Sequence, residues 1–152
     1  MSKIQVLAPI AGQAIPMSQV PDEVFAEGMA GEGAAISPSE SGEAVAPISG
    51  TLAKLFEGGH AFGIAAAGGV ELIVHLGLDT IEMEDGGFEK LAAQGDEVEA
   101  GQPIVRFDLE AIRSAGYDPT TPVVITNSDE HAVTGQQTGE VRAGDQLFEV
   151  EG

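Results

Sequence analysis

Apolar residues along this chain fall in short runs, separated every few residues by glycine, proline or polar turn formers. Runs of that length, alternating or wholly apolar, predict strands; a helix would need the i, i+3, i+4 period over ten or so residues. Strands are expected over residues 4–10, 45–48, 51–56, 61–64, 70–76, 103–107, 123–126 and 146–150. The clearest alternation lies in 70–76, where Val70, Leu72, Val74 and Leu76 make one apolar row and Glu71, Ile73 and His75 the other. Helix is a minor component, with one turn over 88–94 and another over 109–115, the latter capped by Asp108 and followed by Gly116. This pattern predicts an all-β fold, an antiparallel β-sandwich or barrel-sandwich with one or two short helices.

The 21 Gly and 8 Pro are spread as turn punctuation, not gathered into a linker, so a single domain over 1–152 is expected. Two strand–turn motifs each occur twice. Leu7-Ala8-Pro9-Ile10-Ala11-Gly12 returns as Val45-Ala46-Pro47-Ile48-Ser49-Gly50, and Val98-Glu99-Ala100-Gly101-Gln102-Pro103-Ile104 is echoed by Val141-Arg142-Ala143-Gly144-Asp145-Gln146-Leu147. Two pairs in the same order predict an internal duplication, each half covering the apolar face of the other.

Charge narrows the function classes. Six Lys and Arg against 25 Asp and Glu give −19, which repels a phosphate backbone or an anionic membrane surface. Nucleic acid and direct membrane insertion are therefore not expected, and no uninterrupted apolar stretch is long enough to span a bilayer. Met1-Ser2-Lys3-Ile4-Gln5 lacks a signal-peptide pattern and Cys is absent, so the cytoplasm is the expected location and thiolate chemistry is excluded from this chain.

That leaves three histidines, at 60, 75 and 131, as candidates for nucleophilic or metal chemistry near neutral pH. The segment from His60 to Leu76 reads as a hairpin around Ala65-Ala66-Ala67-Gly68-Gly69. Centred between Ala67 and Gly68, it places His60 directly opposite His75 and Phe62 opposite Ile73, on the face away from the core. Facing residues of an antiparallel pair have Cβ atoms about 5 Å apart, so two imidazoles there can share one small group. With Phe62 and Ile73 beside them they form a shallow apolar surface suited to docking a protein. A register slip would instead leave two unrelated surface histidines. His131, in the polar stretch Asn127-Ser128-Asp129-Glu130-His131, reads as an exposed loop residue.

Glu71-Leu72-Ile73-Val74-His75-Leu76-Gly77-Leu78-Asp79-Thr80, preceded by Gly59-His60-Ala61-Phe62, resembles the signature of the glucose-family IIA component of the bacterial phosphoenolpyruvate-dependent sugar phosphotransferase system. The resemblance extends, in order, from about residue 7 to 150. Val20-Pro21-Asp22-Glu23-Val24-Phe25-Ala26-Glu27 is similar to that family's docking loop, 45–51 to its central turn and Thr121-Pro122-Val123-Val124-Ile125-Thr126-Asn127 to its late strand. It implies a phosphotransferase of sugar uptake. His75 would accept phosphate on Nε2 from the phosphohistidine of the histidine-containing phosphocarrier protein, then pass it to a Cys of a separate IIB domain. His60 would hydrogen-bond the phosphoryl oxygens, and Asp79 would be an acid beside the site; as a turn-capping residue before Thr80 it has an equally good structural reading. Gly77 allows a tight backbone approach or is a plain turn glycine.

By the same resemblance Asp22, Val24, Phe25 and Phe56 belong to a partner-docking face, and regulated transporters or enzymes are further partners. No obligatory cofactor is implied, although His60 and His75 can share a transient regulatory zinc with a partner carboxylate. The chain departs from the family in having Gly58 where Thr is common, and Glu23 and Ala30 in place of apolar docking residues. Two other classes share sequence features. His75-Leu76-Gly77-Leu78-Asp79 looks like half of a lysostaphin-type zinc hydrolase site, but no His-x-His supplies the remaining ligands. The Ala-Pro-x-x-Gly turn also looks like a biotinyl or lipoyl carrier, yet none of Lys3, Lys54 and Lys90 lies in a displayed hairpin.

Overall fold

Three antiparallel sheets frame the computed structural model, which describes residues 3–78, 80 and 87–152. With strands numbered in chain order, the largest sheet has eight: β13 (Gly139–Val141), β2 (Gly12–Pro16), β3 (Glu32–Pro38), β11 (Thr121–Ile125), β7 (Glu71–His75), β6 (Ala61–Ala66), β5 (Gly50–Leu55) and β9 (Glu97–Val98). A second sheet joins β1 (Lys3–Leu7), β14 (Gln146–Glu151) and β12 (Val133–Thr134). The third joins β4 (Gly42–Val45), β10 (Pro103–Phe107) and β8 (Phe88–Lys90). Two short helices, α1 (Glu23–Ala26) and α2 (Leu109–Ser114), complete the described elements together with two single 3-10 turns.

The eight-strand order is a palindrome of the duplication. Outward from the centre, β11 and β7, then β3 and β6, β2 and β5, and β13 and β9 occupy matching places, with the Val124–Ile73 pair in the middle of the β11–β7 ladder. The repeated motifs are hydrogen-bonded to each other in matching ways. Leu7 N–H donates to Pro47 O at 2.8 Å and Val45 N–H to Pro9 O at 2.9 Å, one bond made in both directions. Ala8 N–H donates to Asp145 O and Ala46 N–H to Gln102 O, and Gly144 N–H and Gly101 N–H return the bonds to Ala8 O and Ala46 O. Gly12 and Gly50 also match: a Cβ on either would collide with a backbone carbonyl, of Ser37 or of Ala65. Each half therefore completes the other's hydrogen bonding as well as its core.

Alternation supplies that core. Phe62, Ile64, Leu72 and Val74 turn inward from β6 and β7, and Val6, Leu147 and Phe148 from the first and last strands, all 2% exposed or less. Each such side chain contributes about 1.5–3 kcal/mol by leaving water. The expected strands at 4–10 and 45–48 end earlier, at Leu7 and Val45, because Pro9 and Pro47 have no N–H to continue a ladder and the N–H groups of Ala8 and Ala46 turn to the other motif. The helix at 109–115 is present as α2, with the Asp108 carboxylate accepting from Ala111 N–H at 3.2 Å and Gly116 at φ 89° behind it. The expected helical turn at 88–94 is not found. Phe88–Lys90 is β8, held because Phe88 and Lys90 pair with Phe107 and Val105.

Candidate functional site

The β6–β7 hairpin sets the histidine geometry. Ala66 N–H donates to Val70 O at 2.8 Å, closing a three-residue connection whose last two members, Gly68 and Gly69, take φ 74° and 84°. Such left-handed backbone suits glycine. Because the turn is centred on Gly68 and not between Ala67 and Gly68, every cross-strand pair moves by one: His75 faces Ala61, Val74 faces Phe62 and Ile73 faces Gly63. The direct His60–His75 pairing expected from the sequence is thus replaced by His75–Ala61. Phe62 is corrected as well: it points with Val74 into the core and is fully buried, so it cannot line a docking face. Ile73 stays half-buried on the outward face with His75.

The two imidazoles meet nonetheless. His60 precedes the first residue of β6, so the pleat does not dictate its side, and its carbonyl accepts Leu76 N–H at 2.6 Å. Opposite His75 stands only the methyl of Ala61, which leaves room for the His60 ring to lean in. The ring centroids are 5.5 Å apart with planes at 65°. Phe56 presents its ring to His60 at 5.2 Å and carries the Lys54 ammonium 5.3 Å above its own centroid; Phe25 lies 6.0 Å from His75.

His75 Nδ1 is hydrogen-bonded to the carbonyl of Gly77. A carbonyl only accepts, so Nδ1 carries the proton of the neutral ring and Nε2 keeps the lone pair. The bond depends on the turn after β7. Gly77 has φ 88°, and a Cβ there would lie 2.5 Å from Thr80 Cγ2 and 3.3 Å from Asp118 O. Leu78 N–H donates to Asp118 O at 2.8 Å, and the buried Thr80 hydroxyl donates to Leu76 O at 2.8 Å. The sequence suggested a close approach at Gly77 but gave no sign that its carbonyl would fix a tautomer, nor of Asp118. Asp79 lies outside the described residues.

His60 is only 5% exposed, and among the described residues its Nε2 has no hydrogen-bond partner. Burial, assisted by the neighbouring His75, holds its pKa below the ordinary imidazole value. Protons then bind the unfolded chain before they bind folded His60, so unfolding free energy falls as pH drops below about 6.5. The stability difference between wild type and His60→Gln, measured by urea unfolding, is expected to shift against wild type across that window; a constant difference would count against a buried neutral ring. At Gly58 a Cβ would stand 3.2 Å from His60 Nδ1, so the missing side chain leaves that nitrogen without the neighbour a threonine would provide.

The expected docking residues gather beside the histidines through α1. The Asp22 carboxylate accepts from Val24 N–H at 2.9 Å, which starts the helix and leaves Val24 outward at 47% exposure, while Phe25 turns back toward His75. Met29, just past the helix, is 72% exposed and was not among the expected docking residues. Asp22 is thereby the N-cap of α1. His131 stands apart, its Nδ1 bonded to Glu151 O at 2.8 Å. Among the described residues no three metal-binding side chains converge, and no helix is long and apolar enough to cross a membrane.

The chain that carries this duplicated antiparallel β-fold and its two adjacent imidazoles is a member of the EIIA 1 family of the phosphoenolpyruvate-dependent sugar phosphotransferase system, whose model matches residues 4–131. It is 45% identical over 129 residues to the PTS system glucose-specific EIIA component of Staphylococcus aureus (strain Mu50 / ATCC 700699), covering 85% of this chain and 77% of that protein. The corresponding component of Staphylococcus epidermidis (strain ATCC 12228 / FDA PCI 1200) is 44% identical over 127 residues, 84% of this chain and 76% of that one. In three dimensions the chain superposes on glucose permease IIA from Mycoplasma capricolum with a TM-score of 0.92 at 38% identity, over 98% of this chain and 96% of that one. The fold is the β-sandwich of that protein, and the chain is a phosphocarrier of sugar uptake. The zinc-hydrolase and biotinyl-carrier alternatives find no support among these relatives.

Proposed function

We propose that His75 is the phosphoryl acceptor, on Nε2, and that His60 steadies the group in transit. The observation that carries this reading is the Nδ1 bond of His75 to Gly77 O, which leaves Nε2 as the nucleophilic atom. The Nε2 lone pair attacks the phosphorus of a phosphohistidine on the histidine-containing phosphocarrier protein; the donor's P–N bond breaks and its electron pair returns to the donor imidazole. In the second step a cysteine thiolate of a IIB domain attacks phosphorus, and the P–Nε2 pair returns to His75. This chain, having no Cys, takes part in both steps only through His75. Throughout, the Nδ1 proton stays on the ring, so no separate base is needed.

His60 offers a buried ring nitrogen with no protein partner among the described residues, ready for a phosphoryl oxygen. A positioned donor of this kind lowers the cost of transition-state charge. Asp79 is proposed as an acid of the site on the family resemblance alone. Val24, Phe25, Phe56 and Ile73, with the exposed Met29, form the apolar face on which a partner sits; the net charge of −19 favours a basic partner and fast encounter. The glucose names of the relatives favour a glucose-type permease as the destination. Regulated transporters or enzymes fit the same face, and the family's use of phosphoenolpyruvate favours the cytoplasm. A zinc ion fits only in part, since His60 and His75 supply two nitrogens and a partner carboxylate must complete the set.

The test is chemical. Incubated with labelled phosphoenolpyruvate, enzyme I and the phosphocarrier protein, the chain is expected to take up one acid-labile phosphate, and nitrogen NMR should place it on Nε2. Phosphate on Nδ1, or on an acid-stable group, would overturn the reading.

A further inference from the structure

Thr80 is almost completely buried, 2% exposed, and its hydroxyl makes no contact with either imidazole ring among the described contacts. Its oxygen lies 2.8 Å from Leu76 O and 3.5 Å from Gly77 O, so its single proton is shared toward two consecutive carbonyls. These are not arbitrary carbonyls. Leu76 also donates its own N–H, in the preceding peptide unit, to His60 O, and Gly77 O is the acceptor for His75 Nδ1–H. The hydroxyl thus stands one bond away from the His75 ring, through Gly77 O, and holds the carbonyl of the residue whose N–H binds His60 O.

Packing fixes the same turn. The Thr80 methyl occupies the place where a side chain on residue 77 would go, with Cγ2 2.5 Å from a Cβ built on Gly77. On the far side, Leu78 N–H is tied to Asp118 O at 2.8 Å, and Asp118 is itself set by accepting Thr120 N–H at 2.9 Å and Thr120 O–H at 2.6 Å. Gly77 is conformationally free on its own, having no Cβ to restrict it. Its carbonyl is aimed at His75 because Thr80 grips the turn from inside and Asp118 from beyond.

We propose that Thr80 is a positioning residue for phosphoryl transfer: through the Leu76 and Gly77 carbonyls it holds His75 in the tautomer that leaves Nε2 unprotonated. The inference rests on His75 being the acceptor. Without the hydroxyl the Gly77 carbonyl is free to turn away, the ring proton redistributes toward Nε2, and that fraction of molecules has no lone pair to offer phosphorus.

The experiment compares Thr80→Val, which keeps the branched shape, with Thr80→Ser, which keeps the hydroxyl. Ring nitrogen NMR of the unphosphorylated protein is expected to show Nδ1 protonated and Nε2 unprotonated at His75 in wild type and Thr80→Ser, and a mixture in Thr80→Val. In parallel, kcat for transfer from the phosphocarrier protein should fall in Thr80→Val in proportion to the Nδ1–H fraction lost, roughly two- to tenfold, with KM changed by less than about twofold and with recovery in Thr80→Ser. If Thr80→Val lowers Tm or rate while His75 keeps its tautomer, the residue is merely structural and the proposal fails. If Thr80→Val is too unstable to measure, Thr80→Ala takes its place, and a wild-type tautomer at His75 without the hydroxyl is equally fatal. The tautomer is read without phosphate, so this outcome is independent of whether His75 proves to be the acceptor.

Discussion

His75→Gln is expected to carry no acid-labile phosphate after incubation with labelled phosphoenolpyruvate, enzyme I and the phosphocarrier protein, while remaining folded. Glutamine matches the reach of imidazole and can still donate to Gly77 O, but its amide nitrogen has no available lone pair for phosphorus. The half-buried position of the ring, whose hydrogen bond goes to a backbone carbonyl, makes a large loss of stability unexpected. Comparison with His60→Gln separates the roles of the two imidazoles. There, label should still be incorporated, with the transfer rate lowered by roughly 10²–10³, the usual cost of removing one transition-state donor. Full labelling of His75→Gln, or equal and total loss in both variants, would contradict the division of labour.

Phe62→Ala is expected to lower unfolding free energy by about 3–5 kcal/mol, the usual cost of hollowing out a phenylalanine site in a core. On the sequence reading Phe62 was a docking residue, and its loss would have weakened partner binding with little effect on stability. The observed register reverses that: the ring is 0% exposed and faces Val74 within the main cluster. Urea unfolding discriminates directly, and a change below about 1 kcal/mol would mean the ring is not packed as described. Ile73→Ala, half-buried on the opposite face, should show the converse, a small stability change and weaker docking.

The contrast between these two residues shows where sequence reading stopped. The apolar row Val70, Leu72, Val74 and Leu76 was legible because alternation is local, and all four are buried. Asp108 and Gly116 marked α2 through chemistry confined to one turn. The duplication was legible as repeated residues and became a palindromic strand order. Register was not legible, because it turns on whether Ala67, Gly68 and Gly69 close the hairpin as two residues or three, and the same glycines serve both. The histidines still met because His60 lies outside the pleat, a freedom that no alternation rule records. Strand β3, Glu32–Pro38, escaped notice because its Gly and Ala residues signal little β preference, although Gly33 sits where any Cβ would strike Val123 O. Four-residue α1 is too short to show a period, and the grip of Thr80 and Asp118 on the turn after His75 runs through backbone carbonyls, which carry no side-chain signature.

The palindromic sheet has one more implication. An interface of this kind, with the same bonds made in both directions, is what two identical subunits form when they pair about a two-fold axis. Here both halves lie on one chain, so their association survives dilution, where a dimer of half-length chains would come apart by mass action. Covalent joining also frees the halves to differ. Thr126 stands two residues past Val124, as His75 stands two past Ile73 in the matching strand, and it offers a hydroxyl instead of an imidazole. With His75 as the proposed acceptor, only one of the two matching positions can carry phosphate, and the half that bears Thr126 serves as scaffold.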